Sequence, residues 1–157
     1  DVDADLDRLM ARGGVATVAK VSGAGHFQVG DDFRRTEVHA IAYEDGTVKG
    51  QIEWHRSYKV HADVTCLTVV GNRAYIGATV TLSPDFPDQV GGDMMFIVED
   101  NGQGRNADPD RLSLAYVGIS PAFGYASALC ALQNPPTSAL TSTLTPVEQA
   151  NFQVSGG

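Results

Sequence analysis

Two short strings carry the side chains best suited to acid–base chemistry, Glu37-Val38-His39 and His61-Ala62-Asp63. Each sets a carboxylate two residues from an imidazole, a spacing that puts both on one face of an extended strand. A carboxylate beside an imidazole in a partly dry cavity works as a general acid–base pair, because burial and mutual charge shift both protonation equilibria. His39, His61 and a carboxylate are also donor types that zinc or iron accepts. No spacing in the chain demands a metal, and none is assigned. Tyr43 and Trp54 would give such a cavity apolar walls with polar tips.

Whether these groups meet depends on two hairpins. Glu44-Asp45-Gly46-Thr47 and Val70-Gly71-Asn72-Arg73 each put a glycine-containing reversal between runs of strand-forming residues. With Asp45-Gly46 as the loop, Tyr43 opposes Val48, Ile41 opposes Gly50, His39 opposes Ile52 and Glu37 opposes Trp54, all on the apolar side. Around Gly71-Asn72, Val69 opposes Ala74, Leu67 opposes Ile76, Asp63 opposes Val80 and His61 opposes Leu82. Counted this way, Glu37, His39, His61 and Asp63 point inward, and Tyr43, Ile52, Trp54, Leu67 and Ile76 line the space around them. A one-residue bulge would reverse the inward and outward sets. His55, on the face opposite Trp54, and His26, on the face opposite Phe27 and Val29, are expected in solvent.

The period is two from Val15 to Val117, and strands are expected over 15–29, 35–43, 47–57, 60–70, 73–82, 94–99 and 112–117. Gly23 and Gly25 mark a bulge or sharp bend in the first. Seven or eight strands joined mainly by hairpins must remove their edges, which predicts a small antiparallel β-barrel, with a two-sheet sandwich as the alternative. Asp1 to Arg12 reads as a short helix stopped by Gly13-Gly14. Residues 118–157 form an extension packed outside the barrel. In it, Ala122–Leu132 reads as a helix carrying Cys130, Gln133–Thr143 as a Pro/Ser/Thr tail, Thr145–Glu148 as a capped helical turn and Phe152–Val154 as a last strand. The 157 residues fit one domain.

The formal net charge is −8 and the basic residues are scattered, which argues against nucleic acid and against anionic lipid, since both need concentrated positive charge. No apolar run reaches the roughly 20 residues of a membrane-spanning helix. Cys66 and Cys130 have no second Cys or His at zinc-finger spacing. Two buried thiols or one disulfide remain, and the disulfide is favoured. By the hairpin count Cys66 points away from the interior, toward a returning C-terminal segment, and the bridge would contribute about 4 kcal/mol in the chain-entropy model. A chain beginning at Asp1 is also what removal of a signal peptide would leave. Glu99 to Asp110 concentrates carboxylates and amides, yet EF-hand spacing is absent, so an ordinary tight connection is favoured over structural calcium. No nucleophile elbow or phosphate-binding glycine motif occurs, and no cofactor is assigned.

The strings His61-Ala62-Asp63-Val64-Thr65-Cys66-Leu67, Val70-Gly71-Asn72-Arg73-Ala74-Tyr75-Ile76-Gly77 and Phe96-Ile97-Val98-Glu99-Asp100-Asn101-Gly102 resemble a pattern of small exported bacterial β-rich proteins without settled activity. The resemblance implies a secreted or envelope-associated single domain and transfers no site residue. The leading expectation is a barrel that binds a small, partly apolar molecule in its interior, with the His/carboxylate set as polar anchors. The alternatives are a cofactor-independent isomerase, cyclase or hydrolase using the same set, and a structural or protein-interaction domain. A homo-oligomer is compatible with each.

Overall fold

The computed structural model describes residues 15–104 and 106–156; the helix expected over Asp1–Arg12 lies outside them. The fold is mainly antiparallel β. Its strands are β1 (Thr17–Val29), β2 (Asp32–Tyr43), β3 (Val48–His55), β4 (Lys59–Val70), β5 (Arg73–Leu82), β6 (Asp93–Glu99), β7 (Arg111–Leu112), β8 (Tyr116–Val117), β9 (Thr145–Pro146) and β10 (Gln153–Gly156). Two short helices, α1 (Tyr125–Cys130) and α2 (Pro136–Thr141), lie between β8 and β9. All strands belong to one sheet, in the order β10-β1-β2-β3-β4-β5-β6-β7-β9, with β8 pairing β6. The sheet is open: no ladder joins β9 to β10.

Both hairpins form, and the first has a different register from the one expected. Gly46 N–H donates to the Tyr43 carbonyl at 3.0 Å and Tyr43 N–H to the Thr47 carbonyl at 2.9 Å, so the loop has three residues, Glu44-Asp45-Gly46. Gly46 takes the left-handed conformation with φ 87°, the geometry of a type I turn closed by a glycine bulge. Asp45 Oδ1 reinforces it by accepting from Thr47 N–H and Oγ1–H. The added loop residue moves every partner by one: Val38 opposes Ile52, Glu37 opposes Glu53 and Thr36 opposes Trp54. Thr36, Val38, Ala40 and Ala42 are therefore the buried set of β2, and Glu37, His39, Ile41 and Tyr43 face outward.

The second hairpin has the expected two-residue loop, with Val70 opposite Arg73 and Leu67 opposite Ile76. A bulge at Thr65 then shifts the pairing, so that Val64 opposes Ala78 and Ala62 opposes Val80. Inward positions change parity there, from Val69 and Leu67 to Val64, Ala62 and Val60. His61 and Asp63 thus leave the interior as well.

The interior is one apolar cluster that includes Val21, Val38, Ile52, Trp54, Ile76, Phe96 and Phe152. Ile52, Trp54, Leu67 and Ile76 are buried in it as expected. The C-terminal extension packs outside only in part. Residue 152 returns to the core, where complete burial of a Phe contributes about 2–3 kcal/mol, and β10 pairs with β1. Gly25 makes room for the Phe152 ring and Gly23 for the backbone at Asn151; the β1–β2 register runs without interruption past both, and its irregularity lies at Thr17/Ala19. Within the supposed tail, Pro136–Thr141 is helical, and Thr145–Pro146 is a strand pairing β7 rather than a helical turn.

A second apolar cluster lies on the outer side of the sheet. Tyr75, Met95 and Ile97 of β5 and β6 meet Leu129 of α1 and Leu140 of α2. Cys66 and Cys130 form the favoured disulfide, with Cα atoms 6.1 Å apart at a sequence separation of 64, and it ties α1 to β4. Asp93, buried, accepts from the Phe123 and Tyr125 N–H groups at the start of α1.

Candidate functional site

The register change and the bulge act on different strands but in the same sense. Glu37, His39, His61 and Asp63 are brought together, on the outer face of β2–β4 rather than inside. With Glu53, Gln51 and Thr81 they line an open cleft of about 220 Å³. His39 is well solvated, at 70 % side-chain exposure, whereas Trp54 is 2 % exposed on the other side of the sheet. Tyr43 is half-buried near the hairpin end and is not among the cleft residues. The Trp54, Leu67 and Ile76 side chains expected as walls are therefore separated from the expected anchors by the thickness of the sheet, whereas Tyr43 shares the anchors' face and Ile52 borders the cleft.

Three cross-strand rows follow from the register. Lys20, Ile41 and Lys49 form the first. Ser22, His39, Gln51 and Asp63 form the second. In the third, Ala24, Glu37, Glu53 and His61 lie side by side. Like charges directly opposite destabilise a sheet unless countered, and Glu37–Glu53 is countered from both flanks. Arg35 Nη1 approaches Glu37 Oε2 at 3.3 Å and His39 Nε2 approaches Oε1 at 3.9 Å. His55 Nε2 lies 3.2 Å and His61 Nε2 3.6 Å from Glu53 Oε1. Hydrogen bonding with His55, aided by the charge of His61, holds the Glu53 carboxyl below the ordinary carboxylate range.

His61 Nε2 is shut off from solvent and sits just beyond hydrogen-bond distance of Glu53 Oε1, its ion-pair partner at 3.6 Å. Movement of Glu53, or a ligand group taking its place, would satisfy it. Among the described residues, no three His, Cys, Asp or Glu side chains converge closely enough to hold a metal ion. The arrangement as it stands suits hydrogen bonding and ion pairing rather than chelation.

His55 is expected only in solvent, and Glu53 carries no expectation, because both flank the inward Trp54. Their two-residue spacing repeats the Glu37/His39 and His61/Asp63 pattern, and that repetition was the available signal. His26 is less free than expected, with Nε2 3.5 Å from Glu148 Oε2.

Three carboxylates of the 99–110 loop, Glu99, Asp100 and Asp110, are occupied by the protein itself. Asp100 accepts from the Gly102 and Val154 N–H groups, and Asp110 from those of Asn101 and Phe152. Glu99 is held by Arg111, Asn101 and Arg73, which bring its pKa to about 2. The loop is a clasp on the C-terminal strand, and its donors do not face a shared cation position.

No protein-family model matches the chain, and neither curated proteins nor solved structures give a match.

Proposed function

We propose that the protein is a binding module that holds a small polar ligand on the outer face of β2–β4. The observation that carries this reading is the convergence of Glu37, Glu53, Asp63, His39 and His61 on one cleft, from positions that a single register fixes. Three carboxylates favour a ligand rich in positive charge or hydrogen-bond donors, and the two imidazoles serve as donor or acceptor. Binding is favoured over acid–base catalysis because the cleft is open to water, which weakens the electrostatic leverage a catalytic pair needs.

The interior reading of the ligand site loses its polar anchors, since they stand outside. We read the core as a barrel closed without a continuous ladder: Glu148 bridges His26 of β1, while Asp100 and Asp110 hold Val154 and Phe152. These bonds support a barrel closed by side chains and an isolated bridge instead of a continuous ladder. The disulfide is compatible with an exported protein, and no helix among the described residues is long and apolar enough to cross a membrane.

The test is a screen of small amines and polyols against isotopically labelled protein, read by amide chemical shifts. Shifts clustered at residues 37–39, 51–55 and 61–63, and lost in Glu53→Gln, are expected. Compounds that perturb only other surfaces, or bind Glu53→Gln equally, would refute the site.

A further inference from the structure

Beside the acidic cleft, and sharing His39 with it, lies a second one of about 360 Å³ over Gly50 and Ala40, lined by Lys20, Ile41 and Lys49. The two form one trough across the outer face, and its chemistry changes in steps. At one end stand two ammonium groups on either side of an apolar Ile41. In the middle are Ser22, His39 and Gln51, which offer hydrogen-bonding groups, with Asp63 at the far side of the same row. At the other end are Glu37 and Glu53.

We infer that the trough takes a short peptide with free termini, two to four residues long. Its carboxylate would lie between Lys20 and Lys49, its amides along Ser22, His39 and Gln51, and its ammonium group at the three carboxylates. This rests on the proposed binding function of the acidic cleft and specifies its ligand.

Length and polarity both enter the assignment. The row of Asp63 lies two strand residues from that of Lys49, about 7 Å, and the row of Glu53 lies four residues away, about 13 Å. An extended peptide spans roughly 3.3–3.6 Å per residue, so two to four residues bridge the same interval. A simple diamine would leave the lysines unanswered, and a simple carboxylate would leave the acidic row unanswered. The reverse orientation, with the ligand carboxylate beyond Glu37, is disfavoured because Arg35 on that side already contacts Glu37 Oε2 at 3.3 Å. Specificity would come from the charged ends and little from the ligand's side chains, since the floor offers no deep pocket.

The experiment is a titration with trialanine, N-acetyl-trialanine and trialanine amide, followed by amide shifts. Trialanine is expected to shift residues at both ends of the trough. Each capped form should bind about three- to fivefold more weakly, as loss of one solvent-exposed ion pair implies. In Lys20→Ala/Lys49→Ala the penalty for amidation should vanish, while that for acetylation remains. If trialanine shifts only the acidic end, and its amide binds equally well, the peptide assignment fails while the acidic-cleft function stands. If neither trialanine nor any amine or polyol shifts the trough, both fail.

Discussion

The outer face of the sheet is divided into two halves that differ in what the sequence puts there. Over β5 and β6 the outward residues are Tyr75, Met95 and Ile97, and the returning chain covers them with Leu129 and Leu140 under the Cys66–Cys130 bridge. Over β1–β3 they are Lys20, His39, Lys49, Gln51 and Glu53, and nothing among the described residues covers them. The hydrophobic effect explains the first half completely. It has no use for the second, where two glutamates stand side by side and are countered by Arg35, His39, His55 and His61. A covered half that stabilises and a bare half that is poised to bind is the division of labour the comparison teaches.

Breaking the covered half should cost most. Replacing both cysteines, Cys66→Ala/Cys130→Ala, is expected to remove about 4 kcal/mol of stability in denaturant unfolding, and an unchanged midpoint would show that the helices dock without the bridge. Leu129→Ala removes a fully buried side chain and is expected to cost about 3 kcal/mol. Either change should leave the shifts of His39 and Glu53 in place; if those move as well, the halves are not independent.

The clasp at Glu99 gives an intermediate effect with a defined pH signature. Its folded pKa lies below the ordinary value of 4.5, at about 2, so its contribution is present above pH 4.5 and is lost as the pH falls toward 2. Glu99→Gln should cost about 2 kcal/mol at neutral pH and flatten the acid limb of the stability profile. A variant as acid-sensitive as the parent would remove Glu99 from that role.

The smallest effects on stability belong to the bare half. His39→Ala and Glu53→Gln should each change the unfolding free energy by no more than about 0.5 kcal/mol. Because His55 and His61 hold the Glu53 carboxyl below the ordinary range, its charge is favoured in the folded protein, and a slight loss in Glu53→Gln is the sharper expectation. A loss above about 2 kcal/mol would mean these residues hold the fold together, contrary to a binding role.

Much of this division was legible in the residues. Alternation along β2–β5 identified the strands, and Cys66 with Cys130 identified where the extension docks. Face assignment was harder, because it rests on parity, and parity rests on single residues. Asp45-Gly46 reads equally as a two-residue loop or as the end of a three-residue one, and only the carbonyl of Tyr43 decides between them. Thr65 gives no sign of the bulge it makes, since a threonine suits a regular strand as well. Because both errors moved carboxylates and imidazoles the same way, the four residues still meet, but across the sheet from Trp54. Phe152 illustrates a second limit. A lone aromatic in a polar tail carries no periodicity, and its place in the core depends on contacts with Gly25 and Asp110 more than 40 residues away.

The most direct test of the account is the broadening of side-chain resonances by a soluble gadolinium chelate, compared between the His39 imidazole and the Trp54 indole. Strong broadening at His39 with Trp54 untouched is the predicted result. A protected His39 ring beside a broadened Trp54 would reverse the faces of the sheet and contradict everything built on the outer trough.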